Sequence, residues 1–115
     1  MFLFPTKKEK IAKWAAKGVQ HELLCEYCFD MDPEIRALAA AAVGNTKGDR
    51  GYNCLINLLR DDEIDVQIAA AKALDMMGSK NAIEHLRYAA AHTDNAEFKA
   101  LCLNAVSNLV AKMKE

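Results

Sequence analysis

The feature that most restricts this chain is its similarity to itself. Displacing the sequence by 31 residues lays Ile35 on Val66, Arg36 on Gln67, Ala39 and Ala40 on Ala70 and Ala71, Ala42 on Ala73, Val43 on Leu74 and Leu55 on Leu86. A further displacement of 32 lays Val66 on Phe98, Gln67 on Lys99, Ala73 on Ala105 and Leu74 on Val106. A period of roughly 20–50 residues is the mark of a stacked array. Each unit in such an array is one hairpin that cannot cover its own apolar face, so its neighbours must cover it.

The repeated unit is helical. Ile35, Leu38, Ala39, Ala42 and Val43 fall at i, i+3, i+4, i+7 and i+8, one apolar stripe of a helix. The alanine run 39–42 lets a neighbouring helix come close, while strand formers never alternate over a useful length. The chain is therefore expected to be all-α. Its 115 residues suffice for one domain, and at 52% hydrophobic and 27% charged it is globular in composition. A net charge of −1 supplies no strong field for nucleic acid or an anionic membrane. No apolar run approaches the ~20 residues of a membrane span, and the opening MFLFP is too short for a signal peptide. A cytoplasmic chain is expected, with Cys25, Cys28, Cys54 and Cys102 as free thiols.

Punctuation along the chain predicts seven helices. Thr6 with Glu9 forms a capping box, and Gly18 ends the helix that follows, with Phe2 or Phe4 placed to fold back onto Trp14. The second helix is expected over 19–29. Asp32 caps the third, Pro33 takes its first position, and Gly44-Asn45 stops it. The fourth starts near Asp49. Asp61 or Asp62 caps the fifth, which Gly78 ends; Ser79 or Asn81 starts the sixth. Asp94 with Glu97 opens the last, running to about Lys112. Three pairs and one unpaired helix result, with short connections that make sequential helices antiparallel.

In Asp32, Pro33, Ile35, Arg36, Ala39, Ala40, Val43 and Gly44 the chain resembles the HEAT-like repeats, including those of phycobilin lyase accessory subunits. The second unit departs, with Gln67 for the arginine and Asp75 for the glycine. The resemblance implies a right-handed α–α superhelix, a short solenoid of about seven antiparallel helices filling one domain, 1–115. An N-terminal capping pair would occupy 1–31, repeats 32–61 and 62–93, and a capping helix 94–115. It also implies a scaffold for protein–protein contact, binding on the surface of the second helix of each pair.

Several constellations could carry chemistry, and each has a plainer explanation. His21, Cys25 and Cys28 sit at i, i+4 and i+7, a donor set suited to a soft metal such as zinc, or to an accessory-lyase activity. Buried cysteine is also an ordinary core residue, and that reading is preferred. The dyad His21-Glu22 is similar to those by which deoxyhypusine hydroxylase, another such array, binds two irons. Here one dyad stands alone, Glu84-His85 is reversed, and His92 has no adjacent carboxylate. Lys7, Lys8, Lys10, Lys13 and Lys17 make the first helix basic, as in DNA glycosylases of this architecture; a polar end-cap explains them better. The column Arg36, Gln67, Lys99 is read as an inter-repeat ladder, with Asp62 or Asp65 as the acceptor for Arg36.

The second-helix surface is expected to expose Glu22, Glu26, Arg50, Asn53, Asn57, Arg60, Glu84, His85 and Tyr88. Of these Arg50, Asn53, Asn57, Arg60, Glu84, His85 and Tyr88 are the candidate partner-binding residues, since tyrosine and arginine dominate interface energetics. The last helix carries a second apolar stripe, Leu103, Val106, Val110 and Met113, beside its core-facing one. Another subunit, as in a homo-oligomer, or a partner is expected to meet it there; the plainer alternative is that the helix docks deeper into the stack. The expectation as a whole is a non-catalytic adaptor for another protein, with no cofactor, no metal, no nucleic acid and no membrane.

Overall fold

The computed structural model describes residues 4–20 and 22–114. It contains α1 (Lys7–Lys17), α2 (Glu22–Tyr27), α3 (Pro33–Gly44), α4 (Asp49–Leu58), α5 (Ile64–Met77), a single 3-10 turn (Lys80–Ala82), α6 (Ile83–Ala91) and α7 (Ala96–Met113). Among the described residues there are no strands. None of the described helices is long and apolar enough to cross a membrane. The molecule measures 49 × 32 × 18 Å, and its least extent is about two helix diameters. It is a slab of two helical layers.

One layer is the row α1, α3, α5, α7, each helix packed on the next. Its tightest joint is between α3 and α5. Ala39, Ala40, Ala42 and Val43 of α3 and Ala70, Ala71, Ala73 and Leu74 of α5 are all buried. Small side chains let the two backbones approach, and Gly44 marks the limit. A Cβ there would lie 2.7 Å from Ala73 Cβ and 2.8 Å from Ala73 Cα. Leu38 was expected in the stripe but is 38% exposed. The buried face of α3 turns toward its alanines and leaves Leu38 at the margin.

Ile35, Val66 and Phe98 occupy equivalent places, each buried in the first turn of its first-layer helix. The turns leading into those helices are equivalent too. The Asp30 carboxylate accepts from Asp32 N–H (3.0 Å), the Asp61 carboxylate from Glu63 N–H (2.9 Å), and Thr93 Oγ1 from Asn95 N–H (3.1 Å). Each side chain thus holds the backbone two residues on, an Asx or Ser/Thr turn built three times. Two helix starts are corrected accordingly. Glu63 rather than Asp61 or Asp62 stands at the N-cap of α5, because Asp61 is engaged in the turn. Asn95 rather than Asp94 caps α7, its Oδ1 accepting from Phe98 N–H at 2.8 Å.

Arg36 ties the first two units together. Its guanidinium donates to both Asp61 oxygens (2.9 and 3.0 Å), to Asp62 (3.3 Å) and to the carbonyls of Asp30 and Met31. The expected acceptor Asp62 is a minor one, and Asp61 is the main one. Gln67, one repeat later, makes the matching bond to the carbonyl of Asp61. Lys7 salt-bridges Asp30 at 2.6 Å, as Arg36 does Asp61. A cation from the preceding helix therefore neutralises each turn aspartate.

The second layer, α2, α4 and α6, is shorter and looser. The stretch expected as helix over 19–29 yields only Glu22–Tyr27. Gln20 is drawn away, since its side chain donates to Thr46 Oγ1 (2.7 Å) and accepts from Gly51 N–H (3.2 Å). Phe29 and Asp30 close tight three-residue bonds that end the helix. Phe4 is 82% exposed, and it is Tyr27 that stacks on Trp14, at 6.5 Å between ring centroids; Phe2 lies outside the described residues.

Each second-layer helix leans on the first-layer helix that follows it: α2 on α3, α4 on α5, and α6 most of all on α7. Val106 is buried and Val110 half-buried against the core, leaving only Leu103 and Met113 exposed from the expected outer stripe. Helix α7 docks deep in the stack, the plainer of the two expectations for its second stripe.

A candidate partner-binding cleft between α4 and α6

The connection from α5 to α6 is longer than its counterparts. Gly78 takes φ +71 to end α5, a left-handed conformation natural to glycine. The 3-10 turn Lys80–Ala82 then intervenes before α6 begins. Helix α6 packs chiefly on α7 and only sparsely on α4, which leaves a gap between α4 and α6. The gap is a cleft of about 160 Å³. Ile56, Leu59 and Arg60 line it from α4 and its end, and His85, Tyr88 and Ala89 from α6. His92 and Thr93 close one end, and Gln67 of α5 with Phe98 of α7 lies beneath.

The cleft opens at the joint where the inter-repeat ion pair is absent. Arg36 and Asp61 are charged partners in the joint before; their counterparts here are Gln67 and Thr93. Both side chains reach backbone groups and both line the cleft. The stack thus gives up its bridging charges at the same joint as its second layer parts.

An aromatic and cationic group stands at the wall. Tyr88 and His92 stack at 3.9 Å between ring centroids with 21° between planes. The Arg60 guanidinium lies 5.5 Å from the Tyr88 ring centroid, within reach of a cation–π attraction. His92 Nδ1 is 2.8 Å from the Tyr88 carbonyl oxygen. A carbonyl can only accept, so Nδ1 carries the proton in this contact and Nε2 is left for another partner. No carboxylate lines the cleft. Among the described residues none pairs with Arg60; Glu84 is taken by Arg87 at 2.7 Å.

All nine residues expected on the exposed second-helix surface are exposed. The fold brings Arg60, His85 and Tyr88 together in the cleft and puts Glu84 beside them in the shallow groove outside it. Arg50, Asn53 and Asn57 are exposed on α4 but do not line the cleft, and Arg50 sits 4.0 Å from Glu22. Gln67, His92 and Thr93 were not foreseen as cleft residues. A usable signal existed for two of them: the joint replacement of an Arg–Asp pair by Gln and Thr at the repeat interval.

The other constellations resolve differently. Cys25, Cys28, Cys54 and Cys102 are buried free thiols. Burial pushes the Cys28 thiol far above the ordinary range, and pushes Cys54 and Cys102 to about 11. Such thiols are poor nucleophiles and poor metal ligands, since both roles need the thiolate. His21 lies outside the described residues. Among the described residues no three His, Cys, Asp or Glu side chains converge in a way that could hold a metal ion. Lys7 and Lys8 of the basic helix are engaged with Asp30 (2.6 Å) and Glu34 (2.8 Å) and fasten α1 to the turn before α3 and to its first residues.

Comparison with curated proteins finds no match. Comparison with family models matches the HEAT repeats over residues 22–107, a span that starts at α2 and reaches into α7. With its stacked helix pairs and recurring lead-in turns, the chain belongs to the HEAT-repeat family.

Proposed function

We propose that this chain is a non-catalytic interaction module, and that a partner protein docks on its second-layer face with the α4–α6 cleft as the anchor. The observation that carries the reading is the cleft itself, with an apolar interior of Ile56, Leu59, Ala89 and Phe98 and a wall of Arg60, Tyr88 and His92. Its volume of about 160 Å³ is below the roughly 300–1,000 Å³ of small-molecule sites. It suits one or two side chains of a larger partner. Tyr and Arg are the residue types that most often dominate binding energy, and here Arg60 and Tyr88 stand together at the wall of the cleft. HEAT repeats commonly serve as protein-binding scaffolds, which supports the same reading by fold analogy. The narrower kinship with phycobilin lyase accessory subunits rests on the pattern over 32–44, and would set the same face against a catalytic subunit.

Photo-crosslinking tests the reading. A benzophenone side chain placed at His85 should trap a discrete partner from native extract. The same group at Ala12 of α1, exposed on another helix, should not. Equal trapping from both positions, or none from His85, would refute the assignment of the cleft.

A further inference from the structure

The charge around the cleft narrows the partner's chemistry. Within the lining the only formal charge is Arg60, and His85 and His92 are the only other groups able to become cationic; acids are absent. Arg87 lines the neighbouring groove with Glu84, the one acid of that lining, which it holds at 2.7 Å. Arg60 is exposed and has no carboxylate partner among the described residues, although the chain holds 16 acidic residues against 15 basic ones. Elsewhere on the molecule Lys7, Lys8 and Arg36 each meet an acid within 3 Å. An unneutralised guanidinium, placed over an aromatic ring beside an apolar recess, is a planar donor fork that matches a carboxylate.

We infer that the cleft takes an acidic segment of a partner protein, one in which a carboxylate side chain engages Arg60 while an apolar neighbour enters the recess above Leu59 and Phe98. The inference rests on the docking reading above and adds the ligand class. Arg60 supplies the fork. His85 lines the α6 side and His92 one end of the same cleft, each with a ring nitrogen able to donate to a carboxylate. The apolar floor supplies affinity that an exposed ion pair alone does not. The lysines of α1 form a separate cationic surface, and two of them are already occupied.

The test is a titration of the ¹⁵N-labelled intact chain with capped pentapeptides, followed through amide shifts. One probe has four glutamates around a central phenylalanine. Its counterparts carry glutamines, lysines or phosphoserines in place of the glutamates, and inorganic phosphate is run alone. The acidic peptide should move the amides of Arg60, Tyr88 and Thr93. It should bind roughly tenfold more weakly to Arg60→Ala and unchanged to Arg50→Ala, an exposed cation of α4 outside the cleft. Equal binding of the glutamine peptide at the same amides would overturn the acidic preference and leave the docking reading standing. Shifts confined to the α1 lysines would overturn the inference. So would phosphate alone reproducing the cleft shifts, or the phosphoserine peptide binding more than tenfold tighter, which would make the site one for phosphate.

Discussion

Gly44→Ala separates the two forces that act on α3. Helix propensity alone favours the change, since Gly44 is the last residue of α3 and its φ is not positive. Alanine is better than glycine inside a helix by roughly 0.5–1 kcal/mol. Packing opposes it. The new Cβ would sit 2.7 Å from Ala73 Cβ, 2.8 Å from Ala73 Cα and 3.2 Å from the Ala73 carbonyl oxygen. Carbon atoms in contact rest about 3.5–4.0 Å apart, so α3 and α5 must separate by on the order of 1 Å. Two of the three obstructing atoms are backbone and cannot rotate away. Because this is the tightest helix joint of the stack, the gap is felt along Ala39, Ala40, Ala70 and Leu74. Overpacking of this kind costs about 1–3 kcal/mol, which outweighs the gain in propensity. The expected net is a loss of about 1–2 kcal/mol, with a melting temperature lower by roughly 3–10 °C. Urea unfolding followed by circular dichroism reads it, with the m-value unchanged. A variant as stable as the parent, or more stable, would show that the close approach of α3 and α5 is wrong.

Other consequences can be measured on the same protein. Leu74 is fully buried in α5, and Leu74→Ala should cost about 2–5 kcal/mol by urea titration; a loss under 1 kcal/mol would count against a core at that position. Burial pushes the Asp61 carboxyl up, but the Arg36 guanidinium and the Glu63 N–H outweigh it and hold the group below the usual carboxylate range. A folded-state value below the unfolded one adds stability that is complete above about pH 4 and drains away as the pH falls through the folded value. The acid-side decline should therefore be shallower in Arg36→Met, which should also be less stable at pH 7 by about 2 kcal/mol; parallel pH profiles would contradict the pairing. All four cysteines are buried, so native protein at pH 8 should leave an aromatic disulfide reagent unreacted over minutes, and urea should release four equivalents. Rapid reaction of any thiol in the native state would contradict that burial.

Much of the fold was legible because the physics that builds it is local and repeated. Pro33 behind Asp32, Gly18 and Gly78 as stops, and the alanine pairs at the repeat interval each fix a helix end or a close joint by their own chemistry. The misses share a cause. Asp61 reads as a cap in isolation, yet it is drawn into the Arg36 ion pair and the turn before Glu63, a competition settled by a helix 25 residues away. Gln20 reads as helical, yet its amide is spent on Thr46 and Gly51. Val106 and Val110 look like a second face until α7 packs against both α5 and α6 and the core takes them in. For the cleft, residue type marked Arg60, His85 and Tyr88. His85, Tyr88 and His92 fall at i, i+3 and i+7 on and just past α6, but that the end of α4 sets Arg60 against them depends on tertiary packing that no local pattern reveals.

Equilibrium binding of the partner recovered by crosslinking from His85 tests the central claim most directly. Arg60→Ala with Tyr88→Ala should weaken that binding by tenfold or more, while Arg50→Ala with Asn53→Ala leaves it unchanged and both variants melt with the parent. Undiminished affinity in the first pair, or a comparable loss in the second, would move the docking site off the α4–α6 cleft.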